Sequence, residues 1–161
     1  SFLFSFSRRL SNEKQSSFFL SNSFCVILSL NTALTLTKTF LFNEEKIQWD
    51  ADITLVEGPF DHIVVPNSIP LLGKSLKMDF TLYQELITRA NSHINIFLDS
   101  DASEDVKKIY KHLNHGKLYN KIRWIPVNND LDPSKIFELY GYKGIVNHLK
   151  CAEKISEIFL A

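Results

Sequence analysis

The chain has no Cys-x-x-Cys pair: its two cysteines, Cys25 and Cys151, stand alone in 161 residues. A disulfide scaffold and a thiolate zinc site therefore lack material, and a reducing cytoplasm is the simplest compartment. The chain also has no net charge, with 18 basic residues against 18 acidic ones. That balance excludes a protein that coats nucleic acid through global basicity, so any phosphate contact has to come from a local patch or a bound cation. Glycine and proline number five each, and neither occurs in residues 1–43. One glycine is missing where it would matter: Leu72-Gly73-Lys74-Ser75 resembles the end of a P-loop, but that motif needs glycine where Ser68 stands.

What is present divides the chain in two. Residues 1–43 are rich in Ser, Phe, Leu, Asn and Thr, with Arg8, Arg9, Lys14 and Lys38 against Glu13. Residues 18–37 are uncharged, which is the length of a membrane span, yet 8 of these 20 residues are Ser, Asn or Thr. No stable membrane association is expected, and the acid-poor start with its arginines and serines reads equally as a targeting or non-native leader. No catalytic role is assigned to it. Residues 44–161 hold 14 basic and 17 acidic residues. At 45% hydrophobic and 22% charged, the whole is long enough for one domain with a core, plus an appendage.

From residue 44 the pattern predicts alternating strands and helices. Strands are expected over 53–56, 69–72, 94–98 and 122–127, each a short apolar run rich in β-branched residues. Between the first two, Gly58 makes a turn, Pro59 suits a first helical position, and Pro66 stops a short helix. A helix over 79–91 presents Phe80, Tyr83, Leu86, Ile87 and Ala90 on one face. Another begins at Ser103 as N-cap, carries Glu104 and Asp105 in its first turn, points Val106, Ile109, Tyr110 and Leu113 inward, and ends at Gly116. Asp132-Pro133 opens a helix ending at Gly141, and a last amphipathic helix carries Ile145, Leu149, Ala152, Ile155 and Phe159. This order is an α/β domain with about four strands in a mainly parallel sheet flanked by helices.

Two apolar runs end abruptly in acids. Ile53-Thr-Leu-Val leads into Glu57-Gly-Pro-Phe-Asp61, and Ile94-Asn-Ile-Phe-Leu leads into Asp99-Ser-Asp101. Open parallel sheets bind ligands at the carboxyl ends of their strands, and oxygen donors gathered there suit Mg²⁺ or Mn²⁺. If the Asp99 segment is extended, Asp99 and Asp101 share a face, and a cation between them relieves their repulsion. Glu57 follows four apolar residues, where a charge needs a partner or a purpose. Asp61 has two readings, a ligand or a helix-dipole partner. Asp132 likewise is an ordinary cap or a fifth acid near the others. Lys74, with Lys77, is either a phosphate contact or a solvated loop lysine. The pair His112 and His115 lies among lysines and Asn114, and reads as surface helix.

The order and spacing of these residues resemble the Toprim domain, the catalytic fold shared by bacterial and phage primases, topoisomerases and certain nucleases. Glu57-Gly58-x-x-Asp61 and Asp99-Ser100-Asp101 carry the resemblance, supported by the glycine turn after Ile69-Pro-Leu-Leu and by Asp132-Pro133. It spans residues 50–141, and its Glu-Gly form is nearest the primases. The resemblance implies a DNA primase of bacterial or phage type that joins nucleoside triphosphates on single-stranded DNA, with a replicative helicase as a further partner. In that family's pattern Glu57 is catalytic and Asp61, Asp99, Asp101 and Asp132 hold the metal; Lys74 and Lys77 stay candidate phosphate contacts on their position alone. The zinc module and basic subdomain of such primases are not recognisable, so a partial primase is expected, in a bacterial cell or phage-infected host. A stand-alone Toprim nuclease would use the same acids. A catalytically silent binding module is the third reading, against which the retained acids speak.

Overall fold

The computed structural model describes residues 41–73, 75–78, 80–127 and 131–155. The expected leader up to residue 40, and Lys74, lie outside them. β1, Ile53–Val56, is buried at every position, and so is β3, Ile94–Phe97. Aliphatic side chains on both faces of a strand demand cover on both, and this is why such runs occur inside parallel sheets. β2 is Ser68–Pro70 and β4 is Ile122–Trp124. Together with a short fifth strand they form one sheet in the order β2-β1-β3-β4-β5, in which β1 through β4 pair in parallel.

Strand alternation sorts the core into two halves. Ile53, Leu55, Ile94, Ile96 and Ile122 share one cluster with Leu82, Tyr83 and Leu86 and with Val106, Ile109 and Leu113. The first trio lies on α2, Thr81–Arg89, and the second on α3, Ser103–Leu113. Val56, Phe97 and Ile125 instead join Val64, Ile136 and Ile145, which come from α1, Pro59–Val64, and α4, Pro133–Lys150, except for Ile125 beyond β4. The result is an α/β fold with helices on both faces of a mostly parallel sheet.

Several local expectations change. The sheet has five strands rather than four, because α4 stops at Lys150 and Glu153–Lys154 runs antiparallel along Trp124 and Arg123 as β5. This pairing covers a β4 edge that would otherwise expose its backbone. Ala152 and Ile155, expected on a helix, therefore lie beyond it, and Ile155 is buried in the first cluster; Phe159 lies outside the described residues. The expected end of a helix at Gly141 holds: its φ of 63° and ψ of −164° are non-helical and divide α4, Pro133–Lys150, into two helical halves. The strand expected over 69–72 is shorter and begins at Ser68. α3 starts with Ala102 as its flanking residue and Ser103 already helical. It ends at Leu113, and Gly116, at φ 53°, opens a single 3₁₀ turn instead of capping the helix. Among the described residues, no helix is long and apolar enough to cross a membrane.

Candidate functional site

The register of β1 and β3 pairs Val56 with Phe97, so the residues that follow leave the sheet side by side, from strands about 4.8 Å apart. These residues are Glu57 on one strand and Leu98 and Asp99 on the other. Glu57 is half-buried, and its Oε2 atom is buried. Asp99 is half-buried and Asp101 exposed. The backbone is not extended here: the Ala102 N–H donates to the Asp99 carbonyl at 3.0 Å, closing a turn over 99–102. Strand alternation therefore does not place Asp99 and Asp101 on one face. The turn delivers both to the carboxyl edge of the sheet before α3 starts.

Asp61 is a different kind of acid. It is 7% exposed, in the first turn of α1, where its Oδ2 accepts the Gly58 N–H at 3.2 Å. Its Oδ1 accepts both the Ser134 hydroxyl, at 2.7 Å, and the Ser134 N–H, at 3.2 Å. Both oxygens are thus engaged, and the carboxylate ties the start of α1 to the start of α4. Burial is the largest influence on it and raises its pKa against the lowering pull of the Ser134 and Gly58 donors; the charge of Asp132 adds to the rise. Asp132 itself caps α4, accepting the Lys135 N–H at 2.6 Å, with the Lys135 ammonium 3.6 Å away. Both bland readings, dipole partner and cap, are therefore occupied roles.

Lys77 is exposed, its ammonium 5.9 Å from the centre of the Phe80 ring. The turn before it uses Leu72 at φ 53° and Gly73 at φ 148°. His112 donates from Nδ1 to the Leu76 carbonyl at 2.9 Å, whereas His115 lies past the helix and bonds the Tyr83 hydroxyl at 2.9 Å. Their divergent partners give the pair a packing role.

Sequence reasoning missed His62 and Ser134. Asn43 donates its amide to His62 Nε2 at 3.0 Å, which leaves Nδ1–H to donate to the Ser68 carbonyl at 3.0 Å. Burial lowers the pKa of His62, and the charge of Lys46 acts in the same direction. Phe42 meets the same ring edge-on at 5.1 Å. No signal in the sequence links residues 42 and 43 to His62. Ser134 could have been suspected from Asp-Pro-Ser at a helix start, but its partner lies 73 residues away.

Among the described residues, no three His, Cys, Asp or Glu side chains are gathered so as to hold a metal ion. The donor chemistry nonetheless fits a hard divalent cation, because every acid at this edge offers oxygen, and Mg²⁺ commonly takes one or two carboxylates and completes its shell with water and substrate phosphate.

No protein-family model and no curated protein matches the chain. Among solved structures, the Aquifex aeolicus primase, comprising zinc-binding and RNA polymerase domains, is similar at a TM-score of 0.59 and 17% identity, over 76% of this chain and 32% of that one. The chain spans about a third of that protein's length. At this identity the likeness is one of fold, and the fold is primase-like.

Proposed function

We propose that this chain carries the nucleotidyl-transfer core of a DNA primase, a Toprim domain that joins ribonucleotides on single-stranded DNA in a bacterial or phage-infected cytoplasm. The observation that carries the proposal is the exit of Glu57 and Asp99 from the carboxyl ends of adjacent parallel strands in a primase-like fold. Glu57, Asp99 and Asp101 would hold Mg²⁺ or Mn²⁺, which when bound would neutralise triphosphate charge and activate the attacking hydroxyl. The chain's own residues do the rest. Glu57 would either serve among these ligands or take the proton of the 3′ hydroxyl at its partly buried carboxylate. Asp61 contributes as a brace, holding the start of α4 and the Asp132 cap against the end of β1. Lys77, on the loop after β2, would meet phosphate as a point charge, with Lys74 beside it in sequence. A replicative helicase would deliver the template.

The test is incubation of the chain with Mn²⁺, a single-stranded template and labelled ribonucleotides, with the other domains of a bacterial primase supplied in trans. Template-dependent products that fall by about a hundred- to ten-thousand-fold in Glu57→Gln support the proposal. Cleavage of the template without synthesis would replace it with the nuclease reading, and neither activity in the presence of those domains would refute both.

A further inference from the structure

A cleft of about 550 Å³ opens at the bend of α4, lined by Pro126, Leu131, Tyr140, Lys143, Asn147 and His148. That volume lies within the range of about 300–1,000 Å³ in which small-molecule sites fall. Two of the chain's five glycines shape it. Gly141 sits at φ 63°, ψ −164°, a region open to glycine and strained for any other residue. Gly144 leaves space that a Cβ would close, since such an atom would stand 2.6 Å from the Cβ of Tyr140. The bend and the bare glycine together seat Tyr140 on the cleft wall, with the residue still 61% exposed.

The wall opposite is fixed. His148 donates from Nδ1 to the Gly144 carbonyl at 2.9 Å, and its ring stacks on buried Phe97 at 6.1 Å and 15°. Lys143 and Asn147 are exposed, and neither makes a side-chain hydrogen bond or ion pair with a described residue. α4 carries Lys135, Lys143 and Lys150 against Glu138 alone, a local positive charge on a region whose acids outnumber its bases. Pro126 follows the carboxyl end of β4, so the cleft opens on the edge where α/β sheets take ligands.

An exposed phenol ring offers a flat face, an unpaired ammonium offers a cation, and a carboxamide offers both a donor and an acceptor. A nucleotide presents the complement of all three: a stackable base, a phosphate, and a base edge with mixed hydrogen-bonding groups. An apolar peptide would cover the ring and leave the lysine and the amide unanswered. We infer that this cleft binds one nucleotide unit, its base stacked on Tyr140, its phosphate met by Lys143 and its edge contacted by Asn147. The inference stands on the cleft's own chemistry and needs no metal.

The experiment therefore uses EDTA, which removes any cation-dependent binding at Glu57 and Asp99. The full chain is titrated with fluorescein-labelled (dT)₁₂, followed by anisotropy, and with AMP, followed by NMR shifts. Binding of the oligonucleotide alone identifies a unit of a strand as the ligand, and binding of AMP a free nucleotide; either supports the inference. Tyr140→Ala should weaken binding about tenfold or more, whereas Tyr140→Phe keeps the ring and should bind normally. Lys143→Ala should lower the slope of log K against log salt by about one, and Leu139→Ala, exposed but off the cleft lining, should change nothing. All variants should melt as wild type does, because the altered side chains are exposed. Failure to bind either ligand, or binding that Tyr140→Ala and Lys143→Ala leave intact, overturns the inference. Loss of self-association in Tyr140→Ala without nucleotide binding also overturns it and assigns the face to a second copy of the chain.

Discussion

Replacing Ser134 with alanine isolates the contact that joins α1 to α4. The hydroxyl donates to Asp61 Oδ1 at 2.7 Å, while the Ser134 N–H, at 3.2 Å, survives the substitution. A hydrogen bond to a charged group contributes about 1.5–3 kcal/mol net. Asp61 is 7% exposed, so water cannot readily replace the lost donor, and a loss of about 2 kcal/mol is expected at pH 7. Urea denaturation reads this as a lower midpoint at unchanged slope. Asp61→Asn keeps an acceptor of similar shape and removes the charge, and the double variant gives the coupling, expected at about 1–2 kcal/mol for residues in direct contact.

The pH dependence supplies an independent check on the sign. The folded pKa of Asp61 lies above its ordinary value of 3.8, so the fold favours the protonated carboxyl. That contribution is complete below the unfolded pKa and is lost as pH rises through the folded one. Wild type should therefore lose stability relative to Asp61→Asn as pH climbs from about 3.8 through the raised value. Ser134→Ala within about 0.5 kcal/mol of wild type would make the contact incidental, since changes away from such features stay within that range. A wild type that instead gained on Asp61→Asn with rising pH would show the anion to be the favoured form.

Millimolar Mn²⁺ should raise the melting temperature in a concentration-dependent manner, and Asp99→Ala should abolish the shift while leaving the metal-free melt in place; an unchanged wild-type melt counts against any cation at this edge. The folded pKa of His62 is depressed by burial, so its contribution to stability is present above its unfolded value of 6.5 and is lost as pH falls through the folded one. Wild type should accordingly weaken on acidification below about 6.5 while His62→Gln stays flatter, as chemical denaturation across that window will show. Gly144→Ala forces a Cβ to 2.6 Å from that of Tyr140 and should cost about 1–3 kcal/mol by overpacking, whereas Leu139→Ala, on an exposed side chain, should leave the melt unchanged.

The alternation of strand and helix was legible because burial imposes it: the runs at 53–56 and 94–97 have apolar side chains on both faces, and only a covered parallel sheet accommodates that. Pro59 and Pro66 bracketed α1 for equally local reasons. Where the reading failed, a tertiary contact outranked a local pattern. Ala152 and Ile155 keep the helical spacing of Ile145 and Leu149, yet the open edge of β4 draws this segment out as β5. Gly141, by contrast, was legible as a helix end, and its backbone is non-helical there, while Ile136 and Ile145 on either side of it pack in one cluster. Within the candidate site, the placement of Glu57 and Asp99 at strand ends was readable from where the apolar runs stop. The partners of Asp61 and His62 were not, because Ser134 and Asn43 are distant in sequence.

The two ends of the sheet handle charge differently, and this difference bears on where chemistry can occur. At the amino end, Asp52 accepts from Ser92 and from the His93 backbone, and the Arg123 guanidinium stands 3.6 Å away. Arg123 in turn reaches the His93 ring at 3.0 Å, so one carboxylate is surrounded by donors and a fixed positive charge. At the carboxyl end, acids accumulate from three segments, at Glu57 with Asp61, Asp99 with Asp101, and Asp132. Two of them are spent on architecture: Asp61 grips Ser134, and Asp132 caps α4. The charge of Asp132 adds to the rise that burial imposes on the Asp61 pKa, and the fold bears that cost at the edge where α/β sheets receive ligands. A rigid cage of three carboxylates would hold a cation without substrate. An edge that supplies only part of a coordination shell would instead hold it when phosphate oxygens supply the remainder, and under the proposed function metal and nucleotide binding would then be interdependent. Mn²⁺ should therefore bind more tightly in the presence of a nucleoside triphosphate than in its absence, beyond the affinity of the ion for the free nucleotide, and Asp99→Ala should erase that difference.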